Sequence, residues 1–131
     1  MAWIGQYILD ENGDAQPEPD TFRWGRWFEH SHESTGKDNR IVRRDEVGDI
    51  SVSTVFLGLD HAYTLDAHEP VLWETMIFGG AHDQYQRRYT SRRDAVAGHM
   101  EALKLIEAWA LDIDELNRML ALEPAWVRKV Q

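Results

Sequence analysis

Cysteine is absent from this chain of 131 residues, so disulfides, thiolate metal sites and cysteine nucleophiles are excluded. No apolar run approaches the ~18 residues that a membrane span needs. Nor does the opening Met-Ala-Trp-Ile have the basic-then-apolar form of a secretory signal. Lys and Arg are missing from residues 48–86, a stretch with six acidic side chains and three histidines. Together these absences lead us to expect a cytosolic protein without membrane association. The formal charge of −9 opposes encounter with nucleic acid or anionic lipid. It suits a basic protein partner, and equally it suits simple solubility.

With 43% hydrophobic residues and six Trp, one domain spanning 1–131 can fill a single core. Trp3–Leu9 carries Trp, Ile and Tyr and reads as a first strand. Asp10 to Asp14 is dense in turn formers, and Pro17 and Pro19 should keep regular structure from resuming quickly. Asp20 then caps a short helix with Trp24, Trp27 and Phe28 on one face, although Gly25 weakens it by about 1 kcal/mol. Residues 30–39 have no periodicity and read as a loop.

Gly48-Asp49 suits a two-residue hairpin turn between Ile41–Val47 and Ile50–Leu57. That register sets Val47 opposite Ile50, Asp45 opposite Val52, Arg43 opposite Thr54 and Ile41 opposite Phe56. On the other face it sets Glu46 opposite Ser51, Arg44 opposite Ser53 and Val42 opposite Val55. Val71–Phe78 is a near-continuous apolar run suited to a central strand. Ser91 opens the longest helix, whose stripe is Ala95, His99, Ala102, Ile106 and Trp109. Asp112 with Glu115 offers a second cap, so residues 112–131 are expected to form a short helical appendage ended by Pro124. The expected fold is α+β: an antiparallel meander sheet of three or four strands, with the long helix of the C-terminal half packed on one face.

Several side chains invite a chemical reading. Asp60-His61, His68-Glu69 and His82-Asp83 pair histidine with carboxylate, the vocabulary of metal ligation and of acid–base work. An antiparallel sheet would separate His61 and His68 from His82, and no pair has metal-site spacing on a rigid element. Loop histidines are therefore expected, with no metal or cofactor. Glu74 lies mid-strand, where a carboxylate needs a partner; Arg43, Arg44, Arg87 and Arg88 are candidates. Gly79-Gly80, followed by Arg87, Arg88, Arg92 and Arg93 and a helix start, resembles an anion-binding turn without the spacing of a phosphate loop. His99, on the apolar stripe, reads as a satisfied core histidine.

Trp3-Ile4-Gly5-Gln6-Tyr7-Ile8-Leu9-Asp10, Val52 to His61, Glu74 to Gly80 and Arg88-Tyr89-Thr90…Gly98-His99 together resemble a family of small proteins encoded by tailed bacteriophages and prophages. The resemblance covers most of the first 100 residues. It implies expression in the bacterial host cytoplasm and brings with it no activity, cofactor or catalytic residue. In that setting, we expect a non-enzymatic protein that antagonises or modulates a host protein, such as a nucleic-acid-targeting defence enzyme, through an acidic surface. Asp60, Asp66, Glu69 and Asp83 are its expected contact residues. The alternative expectation is an anionic small molecule such as a nucleotide, bound by Glu74, Gly79, Gly80, Arg87, Arg88 and Arg92.

Overall fold

A computed structural model describes residues 5–30, 40–62 and 66–121. The expected start of the first strand at Trp3, most of the 30–39 loop and the chain after Ala121, including Pro124, lie outside them. Eight elements follow in order: β1 (Tyr7–Leu9), β2 (Ala15–Pro17), α1 (Thr21–His30), β3 (Ile41–Val47), β4 (Ile50–Phe56), β5 (Trp73–Phe78), β6 (Gln86–Tyr89) and α2 (Arg92–Ala121). β3, β4, β5 and β6 form an antiparallel meander in sequence order, and α2 packs against all four strands. The fold is therefore α+β, as the sequence implies.

The hairpin follows the alternation of its side chains. Val47 pairs with Ile50, Asp45 with Val52 and Arg43 with Thr54, while Glu46 and Arg44 pair with Ser51 and Ser53. A bulge between Ile41 and Arg43 then shifts the register, so Ile41 faces Val55 where simple alternation sets it opposite Phe56. The shift lets Val42 pack against the cluster that holds Phe56, and leaves Ile41 exposed.

Two further departures have local causes. Pro17 does not prevent a strand: β2 pairs with β1, Tyr7 opposite Pro17, in a two-stranded ribbon where no further strand needs the proline's missing N–H. Nor does Asp112 begin a new helix. α2 continues through it for 30 residues, so the separate appendage is not formed up to Ala121. Nothing between Ile106 and Ala121 is a proline or glycine, so no residue there breaks the backbone ladder.

Both helix caps form as expected. Asp20 Oδ1 accepts from the N–H groups of Phe22 and Arg23, and Ser91 Oγ accepts from Asp94 N–H at 3.0 Å. Under α2 lie two apolar clusters. Ile50, Val52, Ile77, Ala102, Leu103 and Ile106 form one; Phe56, Leu72, Trp73, Tyr89 and Ala95 form the other. The second is extended by Tyr7, Leu9, Ala15 and Trp27, which brings β1, β2 and α1 into the core. Among the described residues, no helix is long and apolar enough to cross a membrane.

Candidate functional site

Between the two apolar clusters runs a polar band. Thr54 lies between Val52 and Phe56, Thr75 between Trp73 and Ile77, and His99 between Ala95 and Ala102, and all three are fully buried. Each is held by the next. Thr54 Oγ1 lies 2.5 Å from Thr75 Oγ1 and 2.7 Å from His99 Nδ1, and His99 Nε2 lies 2.7 Å from Asp45 Oδ2. With Nε2–H donating to Asp45, one orientation of hydrogens serves the whole run: Thr75 donates to Thr54, Thr54 to His99, and His99 to Asp45. Arg43 completes it by donating to Asp45 Oδ2 at 2.7 Å. Arg43 first, and His99 after it, hold the Asp45 carboxyl below its ordinary value.

Acid, histidine and hydroxyl in this order are the parts of a nucleophile–base relay. The burial of Thr54 denies it a substrate, so the band acts as a structural lock between sheet and helix. His99 is thus a satisfied core histidine. The hydroxyls that complete its network belong to strands too distant in sequence for local spacing to reveal them.

The connection between β4 and β5 is built around Asp60. Its Oδ1 accepts from Ala62 N–H and Val71 N–H, both at 3.0 Å, and its Oδ2 lies 2.5 Å from His68 Nε2. The other ring nitrogen of His68 lies 2.5 Å from the carbonyl oxygen of Asp66. Burial raises the Asp60 pKa, but the N–H groups of Val71 and Ala62, with His68, outweigh it and leave the carboxyl below its ordinary value. The Asp66 carbonyl first, then Asp60, raise that of His68. Asp60 N–H also donates to Gly5 O, and Leu59 bridges to Gln6, so this connection is fastened to the N-terminal segment. Gly5 has a positive φ of 66°, and a Cβ there would sit 2.9 Å from Asp60 Cβ.

Of the four carboxylates expected at a partner surface, Asp60 is therefore engaged in folding its own loop. Asp66 and Glu69 are exposed in the same connection. Asp83 is also exposed but belongs to the turn between β5 and β6, at the opposite end of the sheet, where its Oδ1 accepts from Gly79 N–H at 2.7 Å. The four residues do not converge on one surface. Their shared lack of basic neighbours in sequence carries no information about which end of a strand each one occupies.

The residues of the alternative anion site are also dispersed. The Gly79 N–H already has a carboxylate, from Asp83. Both glycines have positive φ, 91° and 71°, and a Cβ on Gly79 would meet the Asp49 carbonyl oxygen at 2.8 Å. Close approach to the β3–β4 turn thus accounts for Gly79. Arg87 and Arg88 belong to β6 and point to opposite faces of the sheet. Arg87 pairs with Glu101 of α2, while Arg88 Nε donates to Glu74 Oε2 at 2.9 Å. Gln86 donates to the same Glu74 oxygen at 2.5 Å. Arg92 lies beyond the far end of β6, separated from Gly79 by the length of β5, roughly 20 Å at ~3.3 Å per residue. Glu74 is therefore a paired structural carboxylate, and the proposed ligand set is not assembled.

His61 and His82 remain apart, as antiparallel strands require. Among the described residues, no three His, Asp or Glu side chains gather where they could hold a metal ion. The side-chain contact in this connection that the sequence did not reveal is the Asp60–His68 pair. Its one legible signal was the absence of Lys and Arg from residues 48–86, which leaves His61 and His68 as the side chains of that connection itself able to carry positive charge. Comparison with known proteins gives no match: no family model fits the chain, and no curated protein or solved structure matches it.

Proposed function

We propose that the chain is a binding protein, not an enzyme, and that it works by occupying a basic surface on another protein. In the setting implied by the phage resemblance, the partner is a host protein in the bacterial cytoplasm, such as a defence enzyme whose working surface grips nucleic acid. The observation that carries the reading is the arrangement of the β4–β5 connection. Asp60 organises it from within, while Asp66 and Glu69 are exposed in a stretch without Lys or Arg. Exposed carboxylates of this kind satisfy arginines that would otherwise hold phosphates, and they accelerate encounter with a basic partner. The contact surface is accordingly narrower than the four acidic residues singled out in the sequence: Asp66 and Glu69 form its centre, and Asp83 lies outside it.

Affinity capture from infected cells over a salt series tests this directly. The expected partner is basic, is released as salt rises, and is lost with Asp66→Asn combined with Glu69→Gln. Asp83→Asn should retain it. An interaction indifferent to salt and to the double substitution rules out recognition by charge. No anionic ligand site is proposed, because its residues are spread over both faces and both ends of the sheet.

A further inference from the structure

His68 is placed between two groups that only accept hydrogen bonds, the Asp66 carbonyl on Nδ1 and the Asp60 carboxylate on Nε2. A neutral imidazole has one donor and one lone pair, so one of these contacts would set lone pair against lone pair. With Asp60 ionised, only the doubly protonated ring makes both bonds. Moving the Nε2 proton to Asp60 would keep both contacts, but it would weaken a carboxylate that already accepts from Ala62 and Val71. The two bonds draw together residues on either side of the connection: Asp60 with Leu59 and Ala62 on the outgoing limb, and Asp66, His68 and Val71 on the returning one.

We infer that Asp60 and His68 form a proton-operated latch across the β4–β5 connection, closed while the imidazole carries both protons and released when it loses one. Among the described residues, Asp60, His61, Asp66 and Glu69 are, with His68, the titratable groups of this connection. Asp60 faces it from the outgoing limb, and Asp66 precedes it on its own limb. Glu69 follows it in the chain, and His61, whose Nδ1 lies 2.7 Å from Leu59 O, sits beside Asp60. The neighbouring N-terminal segment meets Asp60 through the Gly5 backbone. The sequence has no Lys or Arg from 48 to 86, so His61 and His68 are the side chains of this connection itself that can carry positive charge. Released, the returning limb loses its side-chain tie at His68 but retains the Val71 bonds to Asp60 and His61. The latch therefore acts on residues 66–69, which include the carboxylates of Asp66 and Glu69. That last consequence rests on the binding function proposed above; the latch itself does not.

Nuclear magnetic resonance of the full chain tests the latch without any partner. The His68 ring and the amides of Glu69 and Val71 are followed from about pH 4 to about pH 9, the range in which histidine titrates. His68 should titrate above its ordinary value of 6.5, and the Glu69 amide should move with the same midpoint. Asp60→Asn should lower the His68 midpoint from its native value, with the Asp66 carbonyl left as the remaining partner. If that variant does not fold, His68→Gln decides: it leaves the Asp60 bonds to Ala62 and Val71 in place and should abolish the Glu69 transition. A native His68 midpoint at or below 6.5 overturns the latch, as does a Glu69 transition that survives His68→Gln. Loss of partner capture with a raised His68 midpoint would instead reject only the binding function.

Discussion

Asp45 and His99, one on the edge strand β3 and the other in the first third of α2, are joined by a 2.7 Å hydrogen bond at the end of a run of buried side chains. The bond ties the helix to the sheet, because the two ring nitrogens of His99 reach Thr54 on one strand and Asp45 on another. Replacing His99 by Leu removes the link and leaves Thr54 and Asp45 each short of a partner. Urea denaturation should show a loss of about 1–3 kcal/mol, with Arg43 still serving Asp45. Adding Thr54→Val and Thr75→Val should recover part of that loss, since an apolar band leaves no buried hydroxyl unsatisfied. A triple variant less stable than His99→Leu alone would contradict this account.

Acid should attack the same link. Arg43 and His99 depress the folded-state pKa of Asp45 below 3.8, so its contribution is present above that value and is lost as pH falls through the folded pKa. Melting temperature measured downward from about pH 5 should fall more steeply in the native protein than in Asp45→Asn, which has no proton to take up. Parallel curves for the two proteins would show that Asp45 titrates normally.

Gly98 gives a prediction of sign. Helix propensity alone says that Gly98→Ala should stabilise α2 by about 1 kcal/mol. The structure says the opposite, because a Cβ at 98 would occupy the space filled by the Tyr89 side chain. Thermal melting should show destabilisation of about 1–3 kcal/mol, the usual range for overpacking a close contact. Tyr89→Phe should be neutral or stabilising, since the Tyr89 hydroxyl is buried without a hydrogen-bond partner.

The Glu74 pair gives the last. Arg88→Ala leaves a buried carboxylate with Gln86 as its remaining donor and should cost about 1–3 kcal/mol by chemical denaturation. Glu74→Gln should cost less than Arg88→Ala, because it removes the charge that needs compensation. A double-mutant cycle with a coupling near zero would place the pair in solvent, contrary to the burial of Glu74.

What was legible in the sequence was local or periodic. The Gly48-Asp49 turn, the pairing of Asp45 with Val52 and the caps at Asp20 and Ser91 depend on neighbouring residues, and all of them form. The bulge at Ile41 was not legible, because it answers to the distant cluster that receives Val42. β2 was hidden by a general rule about proline that does not apply in a two-stranded ribbon. β6 was half hidden, because Arg87 and Arg88 read as cations near a glycine turn when each serves an acid on its own face of the sheet. The Asp60–His68 contact joins residues on two limbs of one connection, and no spacing rule identifies it.

Gly58 has a positive φ of 78°, and its carbonyl accepts from both Tyr7 N–H and Trp24 Nε1–H. A Cβ there would lie 3.4 Å from the Phe28 ring and 3.5 Å from the Trp24 ring. The β1–β2 ribbon and α1 thus meet the sheet at Gly58 and at the adjoining Gln6–Leu59 and Gly5–Asp60 contacts just past the end of β4, while the meander and α2 are held by their own ladder and by the cluster around Ile77. The two parts draw on different contacts, so they have different thresholds for opening. Detachment at Gly58 uncovers Trp27 and Phe56 while leaving Ile77 covered. A limited protease acting on native protein should therefore cut first within residues 10–30, and the surviving fragment should retain the sheet and its helix.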